Sequence, residues 1–298
     1  MSIKIFLINE KMNDKKLFDE VDDVINKIVK KNSAELNMAL IKPLSDEYKF
    51  STNGFYIFCG KMGSGKTLEI IKHILITDRM NNGEGYYNLI VFCSTSGGLD
   101  KTVQAFLPKI KTPIAFVPDS SLLQFLHCHI KRKKKYYSLY RYVNSGGKKI
   151  DDEFKRLIDK HKLDKDEKKL LYVAQKMMKY NTTKYPLNLL LVLDDFAGHK
   201  LINRPDAELC RILTKTRHYN ITCVLSVQST KFVIKNLKRI CTDLVLWRGV
   251  SYDDFYDLQR ELPHNFDVKE VWEDYKNLSD PHSKLVMNLY AGCYEIQK

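Results

Sequence analysis

A chain of 298 residues with 44% hydrophobic content can build one large core or two small ones, and its 49 Lys+Arg against 36 Asp+Glu leave a net charge of +13. That excess favours a polyanionic partner, nucleic acid first and an anionic membrane surface second, although abundant Lys, Ile, Asn and Tyr also fit a chain from an AT-biased genome. Seven cysteines without a C-x-x-C pair argue against a disulfide framework and for a reducing compartment, and no apolar run has membrane length, so the expectation is a soluble, intracellular protein without a signal peptide or membrane span.

In chain order, residues 3 to 9 read as a short strand and residues 15 to 31 as an amphipathic helix with Leu17, Val21, Val24, Ile25 and Ile28 on one face. Residues 1–50 are expected to be an N-terminal extension and 51–298 the main domain. Phe55 to Cys59 is the first core strand and Leu68 to Ile76 the helix after it. Asn88 to Cys93 and Pro113 to Val117 follow as strands. A polar, charged stretch at about 118–186 reads as an insertion, with a break at Gly146-Gly147 and helices around 151–160 and 165–179. Leu187 to Leu193 is a nearly continuous apolar run, as a parallel strand buried on both faces should be. Ala207 to Thr216 is helical, Ile221 to Val227 and Thr242 to Trp247 are strands, and Leu285 to Tyr290 with Cys293 to Ile296 form a closing hairpin. Strands alternating with helices predict an α/β fold with a mostly parallel sheet.

The segment between the first strand and its helix is Gly60-Lys61-Met62-Gly63-Ser64-Gly65-Lys66-Thr67-Leu68, which fits the pattern G-x-x-x-x-G-K-[ST]. Glycines let backbone N–H groups close on phosphate oxygens, and the helix N-terminus adds positive potential. Lys66 is placed to reach the β- and γ-phosphates and the Thr67 hydroxyl to hold Mg²⁺. The reading is a site for ATP with Mg²⁺; a glycine-rich turn ahead of a helix is the plainer alternative.

A second half-site lies downstream. The apolar run ends in Asp194-Asp195, where a parallel sheet presents groups to ligand. Asp194 suits the Mg²⁺ shell and Asp195 the attacking water; a strand-terminal pair capping the next helix is the alternative. The following strand ends in Gln228, a candidate sensor of the γ-phosphate and lytic water. Arg217 precedes that strand and is the candidate arginine finger acting on a neighbouring subunit, with Arg211 and Arg248 as competitors.

The segments Leu190–Asp195, Thr216-Arg217-His218-Tyr219-Asn220-Ile221 and Leu225-Ser226-Val227-Gln228-Ser229 resemble the poxvirus-type genome-packaging ATPases, a viral branch of the FtsK/HerA superfamily also found in giant viruses and virophages. The resemblance spans about residues 54 to 250. It implies a P-loop NTPase fold of the RecA-like, additional-strand, catalytic-acid type; the helical, basic insertion at about 118–186 and the N-terminal extension are not matched by it. It also implies a homo-oligomeric ring, a pentamer or hexamer, that pumps double-stranded DNA into a preformed capsid. A capsid protein becomes a candidate partner, and the host cytoplasm or viral factory, or the virion, the expected location. The superfamily often has Glu where this chain has Asp195; the shorter side chain favours positioning water over direct proton abstraction.

Lys131 to Lys149 holds eight basic residues and no acid, with tyrosines interleaved. Lys131, Arg132, Lys133, Lys134 and Lys135 are therefore candidate contacts to DNA phosphates, against the alternative of a solvated charge run. Residues 253–280 are locally acidic and are expected to face solvent, another subunit or a capsid protein. A helicase on the same core is the nearest rival function. A nucleoside or nucleotide kinase, with the insertion as a lid, and a basic structural DNA-binding protein are more distant ones.

Overall fold

The computed structural model describes residues 43–44, 50–95, 101–144, 187–263 and 266–297. The expected strand at 3–9, the helix at 15–31, the Gly146-Gly147 break and the helices at 151–160 and 165–179 lie outside these residues. The chain divides into two compact units, Met1–Leu36 with Lys131–Pro186 and Asn37–Ile130 with Leu187–Lys298.

The second unit is an eight-stranded sheet. Its strands in sequence are β1 (Phe55–Cys59), β2 (Leu89–Ser94), β3 (Ile114–Phe116), β4 (Leu189–Asp194), β5 (Ile221–Val227), β6 (Asp243–Trp247), β7 (Lys284–Asn288) and β8 (Cys293–Gln297), in the spatial order β3-β2-β4-β5-β1-β6-β7-β8. The first six are mutually parallel, and β7 and β8 are appended antiparallel. The central strands β1, β4, β5 and β6 are mostly apolar and almost wholly buried because both faces are covered. Phe55, Ile57 and Cys59 enter one core cluster with Leu189, Leu191 and Leu193, while Tyr56 and Phe58 enter the other with Leu190 and Val192. This is the two-residue alternation of a strand applied to two apolar faces.

On one face lie α1 (Lys66–Thr77) and α2 (Lys101–Phe106), which supply Ile70, Ile71, Ile74 and Val103 to the core. His73 of α1 is buried and its Nε2 lies 2.9 Å from the Tyr87 hydroxyl; desolvation pulls its pKa down to about 3, so the ring is neutral. The other face is covered by the start of α3 (Asp119–Asn144), by α4 (Glu208–Leu213), and by α7 (Tyr252–Glu261) and α8 (Val268–Lys276). Short helices α5 (Thr216–Tyr219) and α6 (Lys235–Lys238) precede β5 and β6. The single helix expected over 207–216 is in fact α4 and α5, parted at Thr214 and Lys215.

Residues 119–130 belong to the sheet-bearing unit, since Leu122, Leu126 and Ile130 pack into its core. The same helix continues through Lys131–Lys134, so the basic run is helical. Helical spacing brings Lys133 onto the line of Leu126, Ile130 and Tyr137, and Lys133 is fully buried while Lys131, Arg132 and Lys134 are exposed. The expectation that the five basic residues act together on DNA is corrected at Lys133: burial pulls its pKa down to about 7 and takes it off the surface. The Lys135 side chain lies outside what is described.

Candidate active site

The parallel register aligns the strand ends. Phe58 pairs with Ser226, Cys59 with Val227, and Asp194 with Ser226, so β1, β4 and β5 deliver Gly60, Asp195 and Gln228 to one edge. The Gly60 N–H donates to the Val227 carbonyl at 3.1 Å, which ties the loop to the end of β5. β5 therefore stands between the phosphate-loop strand and the carboxylate strand.

Within the loop, Gly63 and Gly65 have φ of +76° and +102°, a region that L side chains rarely occupy. Gly60 is required for space: a Cβ there would meet Ser64 Oγ at 2.5 Å and Trp247 Cβ at 2.8 Å. The loop's carbonyls are largely engaged. Lys66 Nζ donates to Gly60 O (2.5 Å) and Lys61 O (3.0 Å), His282 Nδ1 lies 3.3 Å from Ser64 O, and Glu69 N donates to Gly65 O (3.0 Å). By contrast, the N–H groups of Gly63 and Gly65 donate to no backbone oxygen among the described residues. The buried Ser64 hydroxyl likewise has no hydrogen-bond partner there. A concavity with satisfied carbonyls and unused donors is suited to an anion. Lys66 is held by opposing effects: burial lowers its pKa most, while the charges of Asp195 and Asp194 raise it. A triphosphate brings further negative charge to a half-buried ammonium that already faces two carboxylates. The Thr67 hydroxyl and the Asp194 carboxylate offer oxygens of the kind Mg²⁺ prefers, and both side chains are half-buried at this edge.

Asp195 is the strained residue of the site. Its φ is +54°, uncommon for a residue with a side chain. Its N–H donates to Ser226 O at 3.0 Å, its carbonyl accepts from Thr95 Oγ1 at 3.2 Å, and its carboxylate accepts from Gln228 Nε2 at 3.5 Å. Three strands thus set one exposed carboxylate. Thr95 was not singled out in the sequence; its signal is its place one residue past Ser94, which pairs with Asp194.

Lys66, Thr67, Asp194, Asp195 and Gln228 come from one edge. Arg217 does not. It is exposed in α5, before the first residue of β5, at the opposite end of that seven-residue strand, roughly 20 Å away at the rise of a strand. Arg211 is engaged with the Asp206 carbonyl through Nε (3.1 Å) and Nη2 (3.0 Å). Arg248 follows β6 at the loop's own edge, and its Nη1 donates to Ser279 O at 2.8 Å. Trp247, His282 and Lys284 also reach the loop or α1 and carried no sequence signal; Lys284 Nζ pairs with Glu69 of α1 at 2.5 Å.

Among the described residues no group of three or more His, Cys, Asp or Glu is arranged to hold a metal. All seven cysteines are free thiols, and no described helix is long and apolar enough to cross a membrane.

No protein-family model matches the chain, and no curated protein matches it. Solved structures similar to it include the DNA-packaging ATPase B204 of Sulfolobus turreted icosahedral virus, at 10% identity over 83% of this chain and 98% of that one, with a TM-score of 0.48. The genome packaging NTPase B204 of Sulfolobus turreted icosahedral virus 2 in complex with ATP-gammaS gives 11% identity over 83% and 97%, with a TM-score of 0.47. ATPases 2 and 3 of EssC from Geobacillus thermodenitrificans give 11% identity over 86% of this chain and 43% of that one, with a TM-score of 0.44. The loop after β1, the Asp194-Asp195 pair at the end of β4 and the strand β5 inserted between β1 and β4 in a mostly parallel sheet make this the fold of a P-loop NTPase.

Proposed function

We propose that the protein is a Mg²⁺-dependent ATPase that works as a ring and moves double-stranded DNA, in the manner of viral genome packaging. The observation that carries the hydrolytic part is the contact between Gln228, just past β5, and Asp195, just past β4, beside the loop that begins after β1. Hydrolysis needs a water positioned in line with the γ-phosphate and a group that notices when the phosphate is there. Asp195 positions that water, and Gln228, which donates to Asp195, follows Val227, whose carbonyl accepts from the Gly60 N–H of the loop. The loop N–H groups and Lys66 hold the phosphates. Thr67 and Asp194 would hold Mg²⁺, which supplies charge neutralisation on the phosphate oxygens.

The coupling to DNA rests on the net charge of +13 and on the exposed Lys131, Arg132 and Lys134 of α3. The packaging role rests on the sequence resemblance carried by Leu190–Asp195, Thr216–Ile221 and Leu225–Ser229. Placement of Arg217 at the far end of β5 favours action on a neighbour's nucleotide over action on its own. A capsid protein as partner and a viral factory as location belong to the same reading. A kinase is disfavoured, because Asp194 and Asp195 stand at the end of a strand separated from β1 by β5, the strand that Gln228 follows. Lys66→Ala should abolish ATP hydrolysis, measured as phosphate release with and without duplex DNA. Retained hydrolysis would move the reaction away from this loop, and phosphorylation of an added nucleoside would restore the kinase.

A further inference from the structure

The appended hairpin lies outside the parallel sheet that carries the phosphate loop and the carboxylates, yet it touches the loop. A tight turn precedes β7, in which His282 N donates to Asp280 Oδ1 at 2.7 Å and Ser283 N to Asp280 O at 3.1 Å. This turn places His282 Nδ1 3.3 Å from the Ser64 carbonyl and 3.6 Å from where a Cβ on Gly65 would stand. A carbonyl only accepts, so Nδ1 carries the hydrogen and donates it. A further contact ties the hairpin to the start of α1: Lys284 Nζ pairs with Glu69 in its first turn.

The consequence follows from peptide geometry. In a planar trans peptide the C=O and N–H point in opposite directions. Holding the Ser64 oxygen on the hairpin side therefore turns the Gly65 N–H to the other side. Without a partner for that oxygen the Ser64–Gly65 peptide is free to rotate, because Gly65 sits at φ +102° and has no Cβ to oppose a flip.

We propose that His282 is a positioning residue of the nucleotide site: by holding the Ser64 carbonyl it fixes the Ser64–Gly65 peptide with its N–H toward the triphosphate, which makes the appended hairpin part of the nucleotide-binding machinery. The inference rests on the reading of this loop as the triphosphate site. His282 acts on binding and leaves the chemistry to Asp195 and Gln228, so its loss should raise Kd and KM for ATP while kcat stays within about twofold. The expected rise is about three- to tenfold, the worth of one hydrogen bond.

The test compares full-length wild type, His282→Ala, His282→Asn and His282→Gln by nucleotide titration, steady-state hydrolysis and the thermal shift produced by ATP with Mg²⁺. Asn keeps a donor at the δ position and should restore affinity to near wild type; Gln carries its amide one bond further out and should not. In the alanine variant the unfolding midpoint without nucleotide should be unchanged, and the ATP-induced rise in that midpoint should shrink. Equal affinity in all four proteins overturns the proposal, as does a loss of stability that is the same with and without ATP. If the alanine variant fails to fold, the Asn–Gln comparison decides alone. Lys66→Ala run in parallel separates the two levels. If wild type binds ATP, Lys66→Ala does not and the His282 variants match wild type, only the hairpin inference fails; if wild type does not bind ATP, the site reading itself fails.

Discussion

Asp195 joins the role proposed for it in hydrolysis to a strained backbone. A side-chain-bearing residue in the left-handed region costs on the order of 1 kcal/mol, and here hydrogen bonds from Thr95 and to Ser226 hold it there. Replacing it with glycine removes the carboxylate and the strain together. Asp195→Gly should leave ATP binding intact, lower kcat by about 10² or more, and change stability between zero and a gain of about 1 kcal/mol. Chemical denaturation and phosphate-release assays check both halves; a large loss of stability would show that the Asp195 contacts outweigh its backbone cost. The type and spacing of Lys66, Thr67, Asp194, Asp195 and Gln228 make them legible in the sequence as candidates for one site, because strand ends and a glycine-rich loop are local patterns. Thr95 and His282 were not legible, since each acts through a contact more than ninety residues away in sequence, which no local pattern records.

At the scale of elements, strand order decides what the loop can do. The sequence shows strands ending in a loop, an acid pair and an amide; only the sheet shows that the amide strand stands between the other two. The entry to the loop-bearing strand β1 rests partly on a buried carboxylate of its neighbour β6. Asp243 of β6 accepts from Ser51 N at 3.1 Å, just before β1, and burial pushes its pKa from 3.8 up to about 7. The folded state therefore holds a proton that the unfolded chain has released between those values. This contribution to stability is present at low pH and is lost as pH rises from about 4 to about 7. Asp243→Asn should flatten that part of the stability–pH profile, as read by denaturant midpoints from pH 4 to 8; an unchanged slope would assign it to other groups. Helix α3 shows the converse limit of reading charge by count. A run of five basic residues reads as one patch until helical geometry turns Lys133 inward with Tyr137. The apolar residues at 122, 126 and 130 already held that helical period, but the lysine run masked its continuation.

At the scale of the whole molecule, charge and assembly carry the account. Each phosphate contact made by a basic side chain contributes about 0.9 to the slope of log affinity against log salt. Substituting Lys131, Arg132 and Lys134 together should weaken duplex binding and reduce that slope by about 3, measured by titration at several salt concentrations. Lys133→Met should leave the slope unchanged, because that side chain is buried. Arg217 sits at the end of β5 remote from its own loop, so Arg217→Ala should reduce hydrolysis by on the order of 10³ in assembled rings while leaving isolated subunits unaffected. Equal loss in both states would reject a role between subunits. The central claim, that this site hydrolyses ATP in order to move DNA, is tested most directly by the ATPase rate of size-resolved oligomers with and without duplex DNA. The account predicts an oligomer whose Lys66-dependent hydrolysis rises when duplex DNA is added. Hydrolysis that depends on Lys66 but does not respond to duplex DNA in any oligomeric state would contradict it.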